Sequence, residues 1–177
     1  MMDVKQNRAA QKWTTREKLG RVLWAVVRPL FRLTPRPLWL LRVWLLRLFG
    51  AKIGSEVHIY PTVRISIPWN LVIADQVAIG ERVILYALGP ITIGARSVIS
   101  QYSHLCAGSH DYRDPAFLLQ KKPIEIGSDV WVCAQSFIGP GVVVGDGAVI
   151  GACSVVMKNV AVRIVGHGNP FKIIKSR

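Results

Sequence analysis

Between Gly108 and Pro115 the chain reads Gly-Ser-His-Asp-Tyr-Arg-Asp-Pro, a polar run rich in turn formers. His110 is the side chain there that changes charge near neutral pH. As a neutral imidazole it can take a proton from a hydroxyl and pass it on. Asp111 or Asp114 can orient that ring by accepting from its other nitrogen, or can stabilise the turn as local hydrogen-bond acceptors. Lys158, Lys172 and Lys175 form a second, cationic group near the carboxyl end, suited to phosphate or to a plain basic surface. The histidines, His58, His104, His110 and His167, lack the spacing of a zinc site, so no metal is expected. Cys106, Cys133 and Cys153 form no CxxC pair and are expected to be free thiols of a reducing cytoplasm.

The element that must hold these residues runs from Ile126 to Val160. Ile126, Val132, Ile138, Val144, Ile150 and Val156 recur every six residues, and Val130, Ser136, Val142, Ala148, Ser154 and Val160 repeat four residues behind them. Six fits neither the 3.6 of a helix nor the 2 of a plain strand. It fits a coil of short flat faces, each sending one aliphatic side chain inward, with successive coils stacked into parallel sheets. Gly127, Gly139, Gly145 and Gly151 are expected to supply backbone angles at the corners that a Cβ would forbid. The period begins at Ile53, Ile59 and Ile65 and slips by two near Pro68-Trp69-Asn70 and again near Gly89-Pro90. Between Leu105 and Ile126 it breaks, and 108–123 is expected to be a loop thrown out of the coil, where chemistry tends to sit. The expected division is therefore a helical segment 1–50, a coil domain 51–165, and a basic tail 166–177.

Residues 1–50 hold 11 of the 23 Lys and Arg but only two of the 10 acidic residues, net +9 out of +13. Residues 1–13 are polar and expected to be loose. Thr14-x-x-Glu17 is a capping box that opens a helix carrying Leu19, Val22, Leu23, Val26, Val27 and Leu30. Thr34 and Pro35 are expected to cap and start a second helix that ends at Gly50. No charge-free run approaches the ~20 residues of a membrane span, and no secretory signal is evident. The segment suits a helical hairpin on the inner leaflet, with arginines at headgroup level and Trp24, Trp39 and Trp44 at the interface, or a pair of helices packed on the coil. The basic residues are interleaved with leucines rather than set around stacking aromatics, which argues against nucleic acid.

Pro123 to Trp131, Gly139-Pro140-Gly141-Val142, Val149-Ile150-Gly151-Ala152, Ser154 to Lys158 and Gly168-Asn169-Pro170-Phe171-Lys172 together resemble the hexapeptide-repeat acyltransferases. Phe171 stands where a small residue is usual in that family. Phe49 to Gly54, Pro68-Trp69-Asn70-Leu71 and Ser109-His110-Asp111-Tyr112 narrow the resemblance to the colanic acid biosynthesis acetyltransferase branch. The resemblance implies an all-β left-handed parallel β-helix behind a helical hairpin. It further implies a homotrimer with acetyl-CoA, the co-substrate, in the cleft between subunits, and His110 as the base. It matches Trp131 to the pantetheine side of the donor. It would lay the pantetheine arm along Ala134, Gly139 and Ala152, set Pro170 against the adenine and put Lys158, Lys172 and Lys175 on the phosphates. Such enzymes often carry an asparagine near Leu85–Gly89; here Ala87 stands there, and Tyr86, Gln101, Tyr102 or Tyr112 would have to hold the acceptor.

The function expected is O-acetyl transfer from acetyl-CoA to a sugar hydroxyl of a lipid-linked exopolysaccharide precursor, by a cytoplasmic enzyme that is peripheral on the inner membrane face. Transfer to another small hydroxyl or amine acceptor, a zinc hydratase on the same coil, and a non-catalytic scaffold are the competing readings.

Overall fold

The computed structural model describes residues 4–10 and 12–177. Of the amino-terminal stretch expected to be loose, residues 1–3 and 11 lie outside this range. Val4–Ala9 forms a short helix, α1. Helix α2 spans Thr15–Leu33 and begins with the expected capping box: the Thr14 hydroxyl accepts from the Glu17 amide, and the Glu17 carboxylate accepts from the Thr14 amide.

Helix α3 spans Trp39–Leu48, four residues later than expected. Thr34 ends α2 instead of starting α3, and its hydroxyl donates to the Phe31 carbonyl. Pro37 disfavours helical angles at Arg36, so the chain turns before it can coil again. At the far end Gly50 adopts φ +85°, and Gly50 and Ala51 donate back to Arg47 and Leu46. This is a Schellman closure that favours glycine.

From Lys52 the chain winds into the expected three-sided parallel β-helix. The first face stacks strands Lys52–Ile53, Leu71–Ile73, Ile91–Ile93, Ile124–Ile126 and Val143–Val144. The third stacks Arg64–Ile65, Ile84–Tyr86, His104–Cys106, Phe137–Ile138 and Val155–Val156. The second runs from His58–Ile59 through Ala78–Ile79, Val98–Ile99, Trp131–Val132 and Val149–Ile150 to a closing hairpin, Ile164–His167 with Lys172–Ser176. Ile53, Ile73, Ile93, Ile126 and Val144 form one inward ladder, in register and buried. Each two-residue slip lies at the corner between the third and first faces, where Pro68–Asn70 makes one 3₁₀ turn. The same corner of the third coil throws out residues 107–123, whose stem is an antiparallel pair, Ser109–His110 with Leu119–Gln120.

The corner glycines act differently from expectation. Gly127, Gly145 and Gly151 keep ordinary negative φ, but a Cβ on Gly145 would lie 2.6 Å from the amide of Val162 in the next coil. They let coils stack closely. The left-handed corner residue comes two positions later and is Asp129, Gly141, Gly147 or Cys153, so glycine is optional there. The carboxyl end is likewise no free tail. Gly166 takes the inward place of a hexad, and the Phe171 ring lies where its side chain would be, which accounts for a large residue at 171.

The helices close the open end of this stack. Each coil donates its amides to the next, as Gly54, Tyr60 and Ser66 do to Ile73, Ile79 and Leu85, leaving the carbonyls of Ile53, Ile59 and Ile65 unpaired by backbone. Side chains fill all three: Arg47 donates to Ile53, Arg42 to Ile59, and the Trp24 indole to Ile65. Unpaired strand edges invite pairing with other chains, and here each is met by one helix donor. Arg42 is fully buried and also donates to Thr34, Pro35 and Arg36, while burial pulls its pKa down. Trp24 is buried and Trp39 stacks on His58, so of the three tryptophans expected at a membrane interface Trp44 is the exposed one.

Candidate active site

His110 sits on the excursion stem, half-buried, with its ring parallel to that of Phe117 at 4.3 Å between centroids. Its Nδ1 lies 2.8 Å from the Phe117 carbonyl oxygen. A carbonyl can only accept, so Nδ1 carries the proton, and Nε2 of the neutral ring keeps its lone pair. Phe117 presents that oxygen because its backbone is left-handed, φ +49°, an uncommon state for a bulky residue. Asp111 and Asp114 serve the turn instead: they accept from the amides of Arg113 (3.0 Å) and Ala116 (2.8 Å). The orienting acceptor is thus a backbone oxygen, which residue types alone do not reveal.

The other candidates divide between two edges of the prism. On the edge between third and first faces lie the His110 loop, Gly139 and, at the next coil, Lys158. Lys158 and Pro170 line one cavity of about 340 Å3 with Phe171. Tyr86 is on the third face beside this edge, where its carbonyl accepts from Ala107. On the edge between second and third faces, Gln101, Tyr102, Ala134 and Ala152 stack coil on coil through the Gln135 to Gln101 and Cys153 to Ala134 hydrogen bonds. Trp131 is half-exposed on the second face, its indole donating to Ser100 at 3.0 Å. Lys172 and Lys175 are exposed on the last strand, and Tyr112 is exposed on the excursion. Within one chain, therefore, Trp131, Ala134 and Ala152 are not beside His110.

Two residues at the site had no assigned role in the sequence. Asn70, at the same corner as the loop but two coils earlier, donates its side-chain amide to the carbonyls of Ala87 (2.9 Å) and Leu88 (3.0 Å). An asparagine thus reaches the Leu85–Gly89 segment from the neighbouring coil, a placement that needs the coil register to see. His104 lies on the third face between Tyr86 and Phe137 with Nε2 buried and unpartnered, and burial lowers its pKa. The three cysteines are free.

Residues 123–158 match the family "Bacterial transferase hexapeptide (six repeats)". WcaF of Escherichia coli (strain K12), whose name places it in colanic acid biosynthesis as an acetyltransferase, is 48% identical over 154 residues, covering 87% of this chain and 85% of WcaF. The chain belongs to the hexapeptide-repeat acetyltransferases. A crystal structure of a hexapeptide-repeat acetyltransferase from Vibrio cholerae superposes with a TM-score of 0.85 at 26% identity, over 92% of this chain and 93% of that one. A galactoside acetyltransferase solved with coenzyme A shares the fold, with a TM-score of 0.68 at 22% identity over 99% and 92% of the two chains. By that membership the protein is an acetyltransferase.

Proposed function

We propose that the protein transfers the acetyl group of acetyl-CoA to a sugar hydroxyl of a lipid-linked exopolysaccharide precursor, with His110 as general base. The observation that carries this is the fixed tautomer of His110, whose Nε2 lone pair is free for an incoming hydroxyl. Nε2 takes the hydroxyl proton as the oxygen attacks the thioester carbonyl. The tetrahedral adduct collapses, the carbon–sulfur bond breaks, and the leaving thiolate receives the proton from the imidazolium.

The division of candidates between two prism edges supports a homotrimer. Only a second copy can bring Trp131, Ala134 and Ala152 of one chain to His110 and Lys158 of another. Lys158, Lys172 and Lys175 are then the phosphate contacts and Pro170 the adenine contact.

A lipid-linked acceptor is supported by the helices. Leu19, Val22, Leu23, Val26, Leu30 and Leu33 form an outward stripe on α2, while Leu40, Leu41, Trp44 and Leu48 form another on α3. The two meet at a groove of about 700 Å3 lined by Leu23, Leu48, Phe49, Trp69 and Asn70. That groove shares the corner from which the His110 loop leaves, two coils away, roughly 10 Å at strand spacing. By helical position exposed Arg16 and Lys18 flank the α2 stripe and complement an anionic leaflet at about 1 kcal/mol each, while Arg28 and Arg32 lie on the other side of the helix. A second copy would instead bring two +9 segments together. No helix among the described residues is long and apolar enough to cross a membrane; the contact proposed is peripheral, and the cytoplasmic leaflet is the one whose anionic lipids suit the basic segment.

The test is CoA release from acetyl-CoA with p-nitrophenyl galactoside as probe acceptor, alongside a thermal shift with CoA. His110→Ala is expected to lose about 10²–10⁴-fold in turnover while keeping the shift. Wild-type turnover in His110→Ala removes His110 from the reaction, and no thermal shift in the wild type removes acetyl-CoA as the donor.

A further inference from the structure

The carbonyl that orients His110 has a second donor. Asn7, on α1 and buried, directs its side-chain amide nitrogen at the carbonyls of Ala116 (3.1 Å) and Phe117, more than a hundred residues away. Its Oδ1 accepts from Lys12 Nζ at 2.5 Å, and this fixes which end of the amide faces the loop. Nearby residues grip the returning strand of the excursion as well. Lys121 donates to the Lys12 carbonyl at 3.0 Å and lies 3.8 Å over the Trp13 ring. The amino-terminal segment therefore straps both ends of the stretch that turns back on His110.

We propose that Asn7 is a positioning residue for the reaction: its amide holds the Phe117 carbonyl in the orientation that keeps His110 in one tautomer and one ring pose. This rests on the reading of His110 as the base. The argument is one of over-determination. A left-handed phenylalanine persists only where its surroundings fix it. Within the loop, Phe117 is fixed by one backbone bond, its amide to Asp114 at 2.8 Å. Its oxygen has two lone pairs; Asn7 occupies one and His110 the other. Without Asn7 the peptide is free to rotate toward ordinary angles. The oxygen then leaves Nδ1, and nothing selects the tautomer with a free Nε2.

The experiment uses the full chain labelled with ¹⁵N-histidine, with His110→Gln to assign the signal, and reads the imidazole nitrogens together with kcat and KM. In the wild type His110 is expected as the Nδ1–H tautomer alone. Asn7→Ala should show a mixture of tautomers and a kcat about 10–100-fold lower, with KM for acetyl-CoA unchanged. Asn7→Asp, of the same shape but without the donor, should behave like Asn7→Ala, and Asn7→Gln should recover part of the loss. Unchanged tautomer and kcat in Asn7→Ala and Asn7→Asp overturn the proposal. So does a fall in kcat with the tautomer intact and melting temperature reduced in step, because that is a stability effect alone. Full activity in His110→Ala, by contrast, overturns the reading beneath it.

Discussion

Replacing Arg42 with methionine tests whether the helices close the coil by hydrogen bonds or merely lie on it. Methionine keeps the length and apolar stem but removes the donors. The Ile59 carbonyl, buried under α3, loses its 2.7 Å partner and has no other, at a cost of about 1–3 kcal/mol. Thr34 keeps its own bond to Phe31, while the Pro35 and Arg36 carbonyls sit where water can reach them, so their losses add about 1–2 kcal/mol together. Relief from burying a charge acts the other way, and the lowered Arg42 pKa shows that this cost is present. The net is a destabilisation of about 2–4 kcal/mol, or about 5–15 °C in Tm for a chain of this size. Arg42→Lys recovers only part, since one ammonium cannot span a fork of four acceptors. Circular dichroism melts read the shift, with exposed Arg28→Met as the control expected to melt like wild type. An Arg42→Met protein as stable as the control would refute the capping argument.

Gly145→Ala should cost about 2 kcal/mol or more in urea unfolding, because the new Cβ meets backbone in the next coil, whereas Gly147→Asn at φ +67° should cost under about 1 kcal/mol; equal costs would show that the glycines serve conformation. His104 holds a folded pKa below its ordinary value, so the unfolded chain takes the proton first and stability is lost as pH falls below about 6.5. His104→Phe, set between Tyr86 and Phe137, should lose less Tm between pH 7.5 and 5.5 than the wild type, and an equal decline would assign the acid sensitivity elsewhere. Co-sedimentation with phosphatidylglycerol vesicles should fall at least about tenfold in Val26→Glu/Leu30→Glu and with added salt, and should be weak on phosphatidylcholine; binding that ignores both changes would separate the stripe from the membrane.

The coil was legible because its inward positions tolerate one kind of residue at one interval, and even the two-residue slips fell at the expected corners. The helices were legible as helices, but not by the face they bury. Trp24 and Phe31 turn inward while six aliphatic residues of α2 face out, because an indole N–H is needed over Ile65. Arg42 resembles a headgroup cation until Ile59 is known to lie beneath it. At the site, His110 announced itself by type and neighbours. Its acceptor did not: a backbone oxygen seven residues on has no side-chain signature, and neither does an asparagine far up the chain that holds it.

A stack of identical turns has no intrinsic length; nothing within the repeat says where to stop. Here one terminus is plugged by two arginines and an indole, and at the other the chain reverses into the strand Lys172–Ser176, which extends the second face. At the plugged terminus the carbonyls of the first coil's inward residues are already taken, so a further copy finds no free coil edge there on which to stack. The homotrimer proposed above would use the flat flanks instead, a closed arrangement that sets the size of the particle.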